Sequence, residues 1–66
     1  MQILLTKVGD FYEATGEDAR EVAKTLGLTL TRSRKDPQTP MCGLPYHALA
    51  AYTETLKSAG YSVLVK

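Results

Sequence analysis

A chain of 66 residues has room for one small domain, and 44% hydrophobic with 23% charged residues place it among folded chains, not disordered ones. Eight Lys and Arg against seven Asp and Glu leave a net charge of +1, which excludes a diffuse basic surface as a source of nucleic-acid affinity. The single cysteine, Cys42, excludes an internal disulfide and fits a reducing, cytoplasmic setting, and the apolar run Ile3 to Leu5 is too short for a membrane span or signal peptide.

Ile3 to Val8 is rich in aliphatic residues and stops at Gly9-Asp10, which predicts a strand running into a turn. Asp10 and Glu13 have the spacing of a capping box, with Asp10 as N-cap and Glu13 at N3. Gly16 interrupts that helix early and Thr15 offers a second N-cap, so the helix proper is expected after Thr15. Ala19, Val22, Ala23 and Leu26 recur at helical spacing and define its buried face; Glu17, Asp18, Arg20, Glu21 and Lys24 face water. Gly27 stands where a C-terminal glycine is expected.

Leu28 to Arg32 alternates apolar and hydroxyl residues, the pattern of a half-buried strand. Ser33 to Thr39, with Pro37, reads as a loop or hairpin connection, and Thr39 to Cys42 as a short strand returning beside Leu28–Arg32. Gly43 and Pro45 are expected to bracket a tight turn. Ala48 to Ala59 forms a second helix with Leu49, Tyr52 and Leu56 on one face, Gly60 ends it, and Tyr61 to Val65 makes a last strand. The order is β-α-β-(β)-α-β, an α/β (α+β) fold in which a small mixed sheet carries two helices.

No constellation for catalysis stands out. Cys42 and His47 are five residues apart, but a nucleophilic pair needs a third group to orient it, and a metal needs three or four ligands. A semi-buried thiol and a helix-start histidine are the plainer expectation. Asp10 and Glu13 as paired carboxylates compete with their capping role. No Gly-rich phosphate loop occurs, so no ATP site and no other cofactor is expected in this segment. Arg32, Arg34 and Lys35 form a basic cluster beside Thr31 and Ser33, of the kind that contacts a DNA backbone. Phe11, the only phenylalanine, lies outside both apolar faces. It is either a staple at the helix entrance or an exposed stacking platform.

Three motifs bear on that choice through a family resemblance. Val8-Gly9-Asp10-Phe11-Tyr12-Glu13 with Glu17-Asp18-Ala19 resembles the GDFYE…(D/E)DA opening of the N-terminal mismatch-recognition domain of the MutS family. Leu28-Thr29-Leu30-Thr31-Arg32 resembles that family's isLTkR strand, and Pro40 to Ala48 its PMAGVPYHA motif. They come in the family's order and close to its spacing, over nearly all of residues 1–66. Val8 stands where the family commonly has Met, Thr15 where it has an aromatic, and Cys42 where it has a small alanine.

The resemblance implies a non-enzymatic DNA-binding module of a larger DNA-processing protein, with the ATPase outside this segment. Its partners would be mismatched or bulged duplex and the other domains of that protein. Phe11 would be the base-stacking wedge, Glu13 the contact to the displaced base, and Val8, Arg32, Arg34 and Lys35 the flanking contacts. A scaffold or protein-interaction domain that keeps the fold without binding DNA is the alternative, favoured by the near-neutral charge and the absent Met.

Overall fold

The computed structural model describes every residue, Met1–Lys66. Its first element, β1 (Gln2–Val8), turns over Gly9-Asp10 into β2 (Phe11–Thr15), and the two strands pair antiparallel with Val8 opposite Phe11 and Thr6 opposite Glu13. A two-residue hairpin loop of this kind needs a left-handed first residue, and Gly9 supplies it at φ 60°. The capping box expected at Asp10 and Glu13 is therefore not formed. Phe11 to Thr15 is strand, and the helix α1 (Glu17–Leu26) begins beyond Gly16, whose φ 67° and ψ −138° suit only glycine and swing the chain out of the sheet. Neither Asp10 nor Thr15 caps α1, which has no side-chain cap at all. Glu17 and Asp18 in its first turn complement the helix dipole.

Where β2 leaves the sheet, β1 would be left with an unpaired edge. Asp18 fills that place: its Oδ2 accepts the Leu4 backbone N–H at 3.0 Å. After α1, Leu28 donates its N–H to the Ala23 carbonyl and stays folded against the helix end, so only Thr31–Arg32 of the expected strand pairs, as β3. The return strand is longer than expected. β4 (Pro40–Pro45) pairs with β3 through Met41 and Pro40 and with β2 along its whole length, Phe11 opposite Pro45 and Glu13 opposite Gly43. Gly43 and Pro45 thus lie inside a strand and do not make a turn. A short 3-10 turn (Tyr46–Ala48) leads into α2 (Leu49–Ser58), and β5 (Ser62–Val65) closes the chain parallel to β1.

The sheet order is β3-β4-β2-β1-β5, mixed because only β1 and β5 run parallel. α1 packs on β4, β2 and β1, and α2 packs on β5 and α1. This is the small mixed sheet with two helices expected from the sequence. Ile3, Leu5, Ala14, Cys42 and Leu44 from the strands meet Ala19, Val22 and Ala23 of α1 and Leu56 of α2 in one core. The Tyr61 hydroxyl donates to Glu21 and ties the start of β5 to α1. No helix is long and apolar enough to cross a membrane.

Candidate functional site

Successive strand residues point to opposite faces, so every core residue of the sheet has a neighbour on the other side. Leu4, Thr6 and Val8 of β1, Phe11, Glu13 and Thr15 of β2, and Met41, Gly43 and Pro45 of β4 share the face that the helices leave uncovered. None of them is buried. The sequence-predicted residues Val8, Phe11 and Glu13 are therefore brought together, two strands contributing to one surface.

Phe11 is 52% exposed at the first position of β2, immediately after the hairpin turn. It does not staple the helix entrance, since no helix starts there. Tyr46, 62% exposed, follows Pro45, the strand partner of Phe11, and is a residue the helical spacing of the second helix passed over. Its backbone N–H donates to the Asp10 carbonyl at 3.1 Å, tying the β1–β2 turn to the end of β4. His47 packs edge-on against the Tyr46 ring, 6.0 Å between centroids. Two aromatics 35 positions apart in sequence (11 and 46) thus share one tip. The signal for Tyr46 was its place after Pro45 and outside the apolar face of α2.

Glu13 is half-buried, and none of the six side-chain hydrogen bonds of the chain uses it. Opposite it on β4 is Gly43, where a Cβ would meet nothing within 4 Å. The face is lowest beside that carboxylate, which gives a ligand a close approach to an acceptor with free lone pairs. Because Glu13 lies in a strand and caps nothing, contacting a ligand costs the fold no hydrogen bond.

The β3–β4 connection overhangs the same face. Ser33, Arg34 and Lys35 border a cleft of about 400 Å³ whose floor includes Thr6, Val8 and Glu13. The connection is a defined turn, not a loose loop. Asp36 and Pro37 occupy the positions type I turns favour, Thr39 N–H donates to the Asp36 carbonyl at 2.9 Å, and Asp36 Oδ2 accepts from the Thr39 hydroxyl at 2.7 Å. The Thr39 hydroxyl, and then the Gln38 N–H, hold the Asp36 carboxyl below its ordinary pKa. Arg32 is not part of this surface. It stands opposite Pro40, on the side of the sheet that the helices occupy, and borders a different cleft.

Cys42 and His47 are not brought together either. The thiol is fully buried in the core, where burial raises its pKa and keeps it protonated, while His47 is exposed at the tip.

A family model described as MutS domain I matches residues 1–66. The chain is 54% identical over 63 residues to a protein named DNA mismatch repair protein MutS from Thermotoga petrophila. It is 45% identical over 65 residues to one of the same name from Staphylococcus carnosus, and 46% over 66 residues to one from Methanothrix thermoacetophila. Each match takes in 96% of this chain and 8% of the relative, so the chain spans under a tenth of the length of these relatives.

Proposed function

From a chain that belongs to the MutS domain I family, we infer a module that probes DNA duplexes for mismatched or unpaired bases through its uncovered sheet face. The observation that carries this reading is the side-by-side placement of Phe11 and Glu13, two apart on β2 and on one open face, with Phe11 half-exposed. An aromatic ring stacks on any base, at ~1–3 kcal/mol per base, so it senses whether a step can be opened more than which base is there. A mispaired step costs less to unstack and kink, and the wedge gains where that cost is least. Glu13 adds discrimination. Its carboxylate accepts a hydrogen bond from a displaced base, but in a normal duplex it stays unpaired and near phosphates.

Arg34 and Lys35 would contact backbone phosphates along the same face, with Val8 and Tyr46 flanking the wedge. The reading calls for no cofactor and no catalysis in this segment, and places the module in the cytoplasm within a larger protein. Titrating wild type and Phe11→Ala against a duplex with a single-base bulge tests it. Wild type is expected to bind weakly and salt-sensitively with preference for the bulge, and equal affinities for the two proteins would remove the wedge.

A second reading draws on the other half of the same face. Leu4 and Leu64 stand directly opposite each other on β1 and β5, both more than a third exposed. That end of the sheet suits packing against protein, and amide shifts with DNA separate the two roles: movement at Val8–Glu13 supports probing, silence there supports a scaffold.

A further inference from the structure

The cleft that holds Arg32 has an unusual composition for its size. Its volume is about 380 Å³, and it is bordered by Arg20 of α1, Thr31 and Arg32 of β3, and Pro37, Gln38 and Pro40, with no large apolar side chain among them. Arg20 and Arg32 come from elements separated by the α1–β3 connection, and both are exposed. None of the six side-chain hydrogen bonds of the chain uses either guanidinium, so neither is neutralised by a bonded carboxylate. Of the two acids adjacent in sequence to this border, Asp36 accepts from Thr39 and Gln38, and Glu21 accepts from the Tyr61 hydroxyl.

Two unpaired guanidiniums converging on one polar concavity form a fork-shaped donor set, which matches tetrahedral oxyanions better than point charges do. We propose that the Arg20–Arg32 cleft is a phosphoryl-binding site, separate from the Phe11 face. The separation follows from the sheet. Arg32 lies on the helix side at the Pro40 end of β4, whereas Phe11 lies on the open side at the Pro45 end. Five residues of strand span roughly 17 Å. Arg32 and Phe11 thus lie on opposite faces and at opposite ends of β4, and the two sites are expected to fill independently. The phosphoryl group is either a free phosphate or phosphate ester, or a phosphodiester of a separately bound nucleic-acid segment.

The experiment follows the Nε–Hε resonances of the three arginines, Arg20, Arg32 and Arg34, as inorganic phosphate is added to the intact chain at constant ionic strength. Arg20 and Arg32 are expected to move together and saturate with one apparent Kd, while Arg34 stays still. Arg20→Gln or Arg32→Gln should weaken that Kd tenfold or more. Arg20→Lys keeps the charge but loses the fork, and should fall between. All three are surface substitutions, and unchanged far-UV circular dichroism verifies the fold. Shifts that never saturate, or that appear equally at Arg34, would overturn the proposal. Duplex DNA added to the Phe11→Ala variant separates the sources. Movement at Arg20 and Arg32 that phosphate reverses assigns a phosphodiester, and stillness there assigns a free phosphoryl group. The phosphate arm contains no DNA, so it stands or fails apart from the wedge.

Discussion

The two faces of one sheet carry opposite duties, and the same three strands supply both. On the helix side, Ile3, Leu5, Ala14, Cys42 and Leu44 are fully buried; on the open side their immediate neighbours Leu4, Thr15, Met41 and Gly43 are not. One residue along the chain therefore separates a position that holds the fold from one left open to solvent. The contrast explains how a chain this small keeps an aromatic as large as Phe11 in solvent. It can spend Phe11 outward because the opposite face, closed by two helices, does not depend on it.

The largest effect expected is on the covered face. Leu44→Ala should cost about 2–5 kcal/mol through lost burial and the cavity left behind. A chain of this length has only about 3–10 kcal/mol of stability at roughly 0.05–0.15 kcal/mol per residue, so urea denaturation should show the variant near or past unfolding. Phe11→Ala, on the open face, should change the unfolding free energy from urea denaturation by no more than about 0.5 kcal/mol. Comparable losses for the two variants would break the division between the faces. The next effect is on binding. Phe11→Ala should lose ~1–3 kcal/mol of affinity for a bulged duplex, about 5- to 150-fold in Kd by titration.

How the sequence concealed this division is instructive. Both helices, Gly27 as a stop and the final strand were legible, because helical spacing and C-terminal glycines are local signals. β2 was hidden by a coincidence of chemistry. Asp10 and Glu13 have capping-box spacing, and Phe-Tyr-Glu-Ala-Thr does not alternate apolar with polar, because its outward positions carry Phe11 and Glu13 and its inward ones Tyr12 and Ala14. A strand whose exposed face includes a large aromatic loses the pattern by which strands are found. Gly9-Asp10 between two extended runs was the surviving hairpin signal. Gly43 suggests a turn by local chemistry alone, since no local signal shows that it lies in a strand opposite Glu13. The pairing of Arg20 with Arg32, and the separation of Arg32 from Arg34, depend on register and on which side of an edge strand each faces, which no spacing rule reports.

Smaller expected effects sharpen the comparison within the open face itself. Gly43→Val fills the low place beside Glu13 without forcing a left-handed backbone, since Gly43 has no positive φ. It should leave thermal unfolding nearly unchanged and reduce preference for the bulge over normal duplex; an unaltered preference would separate Glu13 from the contact. Glu13→Gln removes repulsion of phosphates worth about 1 kcal/mol. It should tighten binding to fully paired duplex several-fold and so compress the ratio between the two duplexes. Arg34→Gln should weaken all duplexes alike and lower the slope of log K against log salt by about 1.

The smallest effect concerns the turn that presents those cations. Asp36 is fully exposed, and its carboxyl is held below the ordinary value by the Thr39 hydroxyl and the Gln38 N–H. A lowered folded-state pKa means that its contribution is present above the unfolded value and lost as pH falls through the folded one. The Gln38 and Thr39 amide resonances should therefore titrate with a midpoint below that of a free aspartate, and that step should vanish in Asp36→Ala. The Ser33 N–H donates to the Thr39 carbonyl at 2.9 Å without using the Asp36 side chain, so the connection should stay closed at its base in that variant. Arg34 and Lys35 then lose orientation but not position, and DNA affinity should fall by less than Arg34→Gln causes. A fall as large as that of Arg34→Gln would mean that the turn, more than the charge it carries, sets how the open face meets a backbone.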